Sequence, residues 1–113
     1  MNELDIKTRL AGDGSPVIEL AGEIDSSTVP MLERELSERD ATSPPIVVVD
    51  LRNTTFMDSS GLRALASAHA RATADGRRFV IVRGPDAVRR VFAVTRLDSR
   101  LDFVDDPGEV VEL

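Results

Sequence analysis

Cysteine, tryptophan and tyrosine are absent from this chain, histidine occurs once, and aromatic residues make up only 4% of it. Without cysteine there is no disulfide framework, no thiolate nucleophile and no cysteine metal site. A Ser-His-Asp arrangement would have to use His69, which lies on the same predicted helix as Ser59, roughly 15 Å further along its axis. That is too far for a hydrogen bond, so His69 reads as a histidine packed at the edge of a core. No set of residues around it has recognisable metal-ligand spacing. No glycine-rich phosphate loop of the P-loop or dinucleotide type follows a strand. These absences predict no catalytic residues, no metal and no cofactor.

Long apolar runs are also lacking. The longest purely aliphatic one is Ile46 to Val49, whereas a membrane-spanning helix needs about 20 residues. Met1-Asn2-Glu3-Leu4-Asp5 has neither the basic start nor the apolar stretch of a signal peptide, which predicts a cytoplasmic protein. Cations are in deficit, with 14 basic against 20 acidic residues and a net charge of −6. Binding to a phosphate backbone depends on cationic side chains, so direct contact with nucleic acid is not expected. The basic residues are unevenly spread: Arg77, Arg78, Arg89, Arg90, Arg96 and Arg100 crowd one stretch. They form either an ordinary solvated surface or a positive patch near a partner-binding face.

What is present fits one domain spanning residues 1–113. Leu4, Ile6, Thr8 and Leu10 alternate with charged residues as in a half-buried strand, and after the turn Gly12-Asp13-Gly14-Ser15-Pro16 a second strand returns over Val17–Ala21. Helical spacing begins at Val29 and runs through Leu32 and Leu36, with Ser27 or Thr28 as its cap; Glu35–Arg39 and Arg34–Glu38 are spaced for ion pairs. Ile46–Leu51 reads as a strand buried on both faces. A short connection then leads to a helix carrying Leu62, Leu65, Ala66 and His69, which ends at Asp75-Gly76. A strand over Phe79–Val82, a third helix with Val88, Val91 and Phe92, a short strand around Leu101–Val104 and a final helical turn within Pro107–Leu113 complete the chain. Strands alternating with helices imply an α/β fold whose mixed, mostly parallel sheet is entered through an antiparallel hairpin.

The segment that calls for a chemical account is Asp58-Ser59-Ser60-Gly61, where a connection enters a helix. Either Asp58 or Ser59 would serve as the cap, and Gly61 would allow close packing. Two adjacent hydroxyls at a helix start also make an exposed phosphoacceptor, whose phosphate would meet the positive end of the helix dipole. A second Asp-Ser-Ser occurs at Asp25-Ser26-Ser27, also between a strand and a helix. Successive junctions of this kind lie at one edge of a parallel sheet, so Asp25 and Asp58 are expected to border a common surface.

Leu20-Ala21-Gly22-Glu23-Ile24-Asp25, Val47-Val48-Val49-Asp50-Leu51 and above all Phe56-Met57-Asp58-Ser59-Ser60-Gly61-Leu62 resemble the anti-sigma factor antagonists, whose fold is the STAS domain. The resemblance spans essentially the whole chain. It implies phosphorylation at Ser59, with Ser60 as the alternative acceptor. It also implies a partner-binding surface of Asp25, Asp58, Ser59, Ser60 and Gly61, beside which Arg63, a departure from the family pattern, would project as a further partner contact. The partner so implied is an ATP-binding serine kinase that also sequesters a sigma factor. The unphosphorylated antagonist binds it and frees the sigma factor, phosphorylation breaks the complex, and a PP2C-type phosphatase restores the antagonist. ATP and magnesium would belong to the kinase, and the free chain would be monomeric. Two features depart from the family pattern: Thr95-Arg96-Leu97 stands where many members carry a glycine, and Gly61-Leu62-Arg63 where many have Gly-Leu-Gly. The alternative is a non-switching STAS interaction subunit of a larger regulatory or membrane-associated assembly.

Overall fold

The structure, a computed structural model, describes residues 3–113; Met1 and Asn2, the start of the segment read above for a leader, lie outside them. Five strands and three helices follow one another as β1 (Leu4–Leu10), β2 (Pro16–Ile24), α1 (Val29–Asp40), β3 (Ile46–Met57), α2 (Ser59–Ala74), β4 (Arg78–Val82), α3 (Asp86–Val94) and β5 (Asp102–Val104). Short 3-10 turns occupy Leu97–Ser99 and Pro107–Glu109. The sheet order is β1-β2-β3-β4-β5, antiparallel between β1 and β2 and parallel elsewhere.

Each crossover advances one strand in the same direction, so connections of the usual right hand place all three helices on one face. Packing agrees with this. Leu32 and Leu36 of α1, Leu62 and Leu65 of α2, and Val88 and Phe92 of α3 share one core with Ile18, Leu20, Val49, Leu51 and Ile81. The alternate residues Val17, Val48, Val80 and Val82 face the other way, where Ala11, Val110 and Val111 cover them. The β-branched runs of β3 and β4 are therefore buried on both faces, as their composition predicts.

The structure corrects the expected elements in three places. β2 runs on to Ile24 and β3 to Met57, so the polar stretch Arg52–Thr55 is strand, not connection. Pairing of Gly22 with Thr54 and of Ile24 with Met57 accounts for this, across two register shifts that absorb the mismatch. Gly22 sits at one shift with φ 113°, and a Cβ there would lie 2.4 Å from the Glu3 carbonyl oxygen, so only glycine fits. On α2 the buried stripe is Gly61, Leu62, Ala64, Leu65, Ala68 and Ala72, which leaves Ala66 only half-buried, while His69, also half-buried, lies at the edge of the core as expected. On α1, Arg39 pairs with Glu35 at 3.4 Å as expected, but Glu38 lies against Arg39, at 3.9 Å, where a pair with Arg34 was expected.

The arginine-rich stretch is divided among several elements, and part of it is held in ion pairs. Arg77 bridges Asp40 and Asp75, and Arg78 pairs with Asp102, both before or at the start of β4. Arg89 and Arg90 belong to α3 instead. Arg96, in the turn after α3, holds φ 62°, the left-handed conformation that glycine adopts freely.

Candidate functional site

β2 and β3 run parallel and end side by side, Ile24 beside Met57, so the two Asp-Ser-Ser segments emerge from adjacent strands at one edge of the sheet. A hydrogen bond ties the junctions together: the Asp58 backbone N–H donates to the Ile24 carbonyl at 3.1 Å.

Both segments fold in the same way. Asp25 Oδ1 accepts from the Ser27 N–H at 2.9 Å and the Ser27 hydroxyl at 2.6 Å, and it also accepts from the Thr28 N–H at 3.2 Å. Asp58 Oδ1 accepts from the Ser60 N–H at 2.9 Å and from the Ser60 hydroxyl. Each carboxylate reaches two residues ahead in an Asx turn; at Asp58 this satisfies a first-turn amide of α2, whereas at Asp25 it closes the turn that precedes α1. Of the two residues expected to cap α1, Thr28 holds the N-cap position. Thr28 makes no side-chain capping bond; its hydroxyl donates to the Glu23 carbonyl at 2.8 Å and accepts from the Asp25 N–H at 3.0 Å. The Asp25 carboxylate fastens the turn before α1 through the Ser27 and Thr28 amides.

At α2 the same question is settled for Asp58, the N-cap. The Ser60 hydroxyl holds its carboxyl below the usual carboxylate range, helped by the Ser60 and Gly61 amides and opposed by partial burial and by the charge of Asp25. Asp58 is thus a carboxylate at neutral pH. Ser59 is the first residue of α2 and is exposed, and its hydroxyl has no hydrogen-bond partner among the described residues. Ser60 is half-buried with its hydroxyl engaged.

Gly61 is buried, and a Cβ there would lie 2.6 Å from Ile24 Cγ2 and 2.7 Å from Met57 Cγ. It lets α2 settle onto the ends of β2 and β3, which makes its part in the site that of a support beneath the surface. Arg63 is exposed, one turn into α2, with no ion pair among the described residues. The six residues expected at the site therefore belong to one edge, four of them as the start of α2.

Two apolar residues at this edge escape the sequence reading. Phe56, opposite Glu23 at the end of β3, is 45% exposed, and Met31, in the first turn of α1, is 49% exposed. Phe56 follows residues 52–55, which read as a connection, and Met31 falls off the buried stripe of α1, so neither stood out in the sequence. A separate cleft of about 630 Å³ opens between α3 and β5, lined by Arg83, Arg89, Arg90, Phe92, Asp98 and Phe103 among others. The spacing of these residues in sequence gave no sign of it. Among the described residues no group of three His, Asp or Glu side chains is placed to hold a metal ion, and no helix is long and apolar enough to cross a membrane.

Residues 8–105 match the family model described as "Mlab, STAS domain". The chain is 33% identical over 87 residues to the anti-sigma-F factor antagonist RsfB of Mycobacterium tuberculosis, covering 77% of this chain and 70% of that one. It is 29% identical over 93 residues to the anti-sigma-B factor antagonist of Staphylococcus aureus, covering 82% and 85%. The crystal structure of an anti-sigma factor antagonist from Mycobacterium paratuberculosis superposes with a TM-score of 0.86 at 30% identity, over 95% of this chain and 90% of that one. By their names these relatives are regulatory binding proteins, not enzymes.

Proposed function

The chain belongs to the STAS domain family, among its anti-sigma factor antagonists, and on that premise we propose that its unphosphorylated form binds an anti-sigma factor and that phosphate on Ser59 ends the binding. The observation that carries this reading is the exposed Ser59, whose hydroxyl lies outside the bonds that fasten α2. The anti-sigma factor is a serine kinase that brings its own ATP and magnesium, and its capture by this chain releases a sigma factor in the cytoplasm. A PP2C-type phosphatase resets Ser59.

The surface supports such a switch in physical terms. Asp25, Asp58 and Arg63 offer charged contacts, while Phe56 and Met31 offer apolar area of the kind that anchors interfaces. A phosphate on Ser59 adds about −1.5 to −2 charge units beside the Asp58 carboxylate. The α2 dipole tolerates that charge, but a partner's acidic groups do not, and its hydration resists burial. Ser59 is favoured over Ser60 because the Ser60 hydroxyl is already donated to Asp58.

The test is a pull-down from host lysate with wild-type, Ser59→Ala and Ser59→Asp baits. The first two should retain an ATP-binding kinase and the third should lose it. Because Asp58 and not Ser59 caps α2, Ser59→Ala should change stability by no more than about 0.5 kcal/mol, so its binding can be read without correction. Capture of the same non-kinase proteins by all three baits would instead identify a fixed interaction subunit.

A further inference from the structure

We infer that two copies of this chain associate through β1, edge to edge and antiparallel, joining their sheets into one. β1 is an outer strand paired only with β2, and it carries no proline and no irregularity: its register is unbroken from Leu4 opposite Gly22 to Leu10 opposite Pro16. Proteins usually blunt such an edge with proline, a bulge, a very short strand or charged side chains, and of these β1 has only the charges, of both signs, on Asp5, Lys7 and Arg9. Here the strand has seven residues.

The backbone determines which groups the edge offers. The Glu23 N–H donates to the Glu3 carbonyl, so Glu3 and Glu23 are a hydrogen-bonded pair. Alternation then turns the groups of Asp5, Lys7 and Arg9 toward β2 and those of Leu4, Ile6 and Thr8 toward the free edge. A second strand must therefore pair through Leu4, Ile6 and Thr8, with its odd-numbered residues falling between the bonds, where side chains approach most closely.

Charge then selects the register. Along the odd-numbered positions the strand reads Glu3, Asp5, Lys7, Arg9, acidic first and basic last. With Ile6 opposite the second copy's Ile6, Asp5 faces Lys7 and Glu3 faces Arg9, and symmetry repeats both pairs. Sliding by two residues in one direction sets Lys7 against Lys7, and in the other direction Asp5 against Asp5. A slide of one residue removes the outward amides from register. A single alignment satisfies both the hydrogen bonds and the charges, and it centres an apolar pair. Arg9 keeps its Glu19 contact, 3.3 Å away within its own sheet. Lys7 and Asp5 are exposed. The proposal departs from the expectation of a monomeric free chain.

Sedimentation equilibrium of the full chain, up to about millimolar concentration, should show a monomer–dimer equilibrium that weakens as salt rises from about 0.05 to 1 M. Amide exchange at Leu4, Ile6 and Thr8 should slow with protein concentration. Lys7→Glu turns two attractive pairs into two repulsive ones and should raise the dissociation constant about tenfold or more. The double swap Asp5→Lys with Lys7→Glu restores opposite charges between copies and should recover the dimer. Both variants carry Lys7→Glu opposite Glu19 of β2, so the local repulsion within the chain is common to them, and their comparison separates association from any loss of fold. A chain that sediments as a monomer throughout overturns the inference, and so does a dimer that the swap fails to recover.

Discussion

Asp58 concentrates the local chemistry of the site in one side chain. Its carboxylate accepts from the Ser60 amide and hydroxyl, so Asp58→Ala strips the cap and should cost about 1 kcal/mol of unfolding free energy. The pH dependence follows from its lowered pKa. A carboxyl whose folded value lies below its unfolded one contributes stability that is complete above the unfolded value, near about 3.9. That contribution is lost as pH falls through the folded value. The stability gap between wild type and Asp58→Asn should therefore stay constant above about pH 5 and shrink below about pH 4. Denaturant melts of both proteins across that range check it. At this scale the sequence was informative: both Asp-Ser-Ser segments could be read as caps or contacts. Whether Asp58 or Ser59 did the capping was not legible, because both side chains have the needed oxygen and only the backbone path decides which one reaches the free amides.

At the scale of elements, the turn after α3 carries a measurable cost. Arg96 holds φ 62°, where the Cβ of an L-residue is crowded by roughly 1–2 kcal/mol. Arg96→Gly relieves that crowding and loses about 0.5–1 kcal/mol through the freer unfolded chain, so a net gain of about 0.5 kcal/mol is expected. A small rise in melting temperature would register it. The resemblance to relatives with glycine at this turn had already flagged the position. Element existence and order were legible throughout, since hydrophobic period distinguishes strands from helices. The extent of β3 was not. Asn53-Thr54-Thr55 has no apolar alternation, and it becomes strand only because the lengthened β2 offers partners, with Thr54 fully buried within 3.5 Å of the Leu20 carbonyl. That is tertiary pairing overriding local pattern.

For the whole molecule, helices on one face leave the other to a thin cover. Val17, Val48, Val80 and Val82 are shielded by little more than Ala11, Val110 and Val111. Val111→Ala opens this layer and removes two buried carbon groups, which should cost about 2 kcal/mol. A matching loss in urea midpoint, without any change in binding through the Ser59 edge, would show that the two faces do separate work.

The division of labour among Asp58, Ser59 and Ser60 has a further consequence. The flanking residues act as a clasp, and the middle one rides on it without bearing strain. A mark placed on such a passenger can be written and erased many times while the chain beneath keeps one shape and one lifetime. On the function proposed above, the persistence of the signal would be set by the enzymes that write and erase it, with the scaffold as a reusable page.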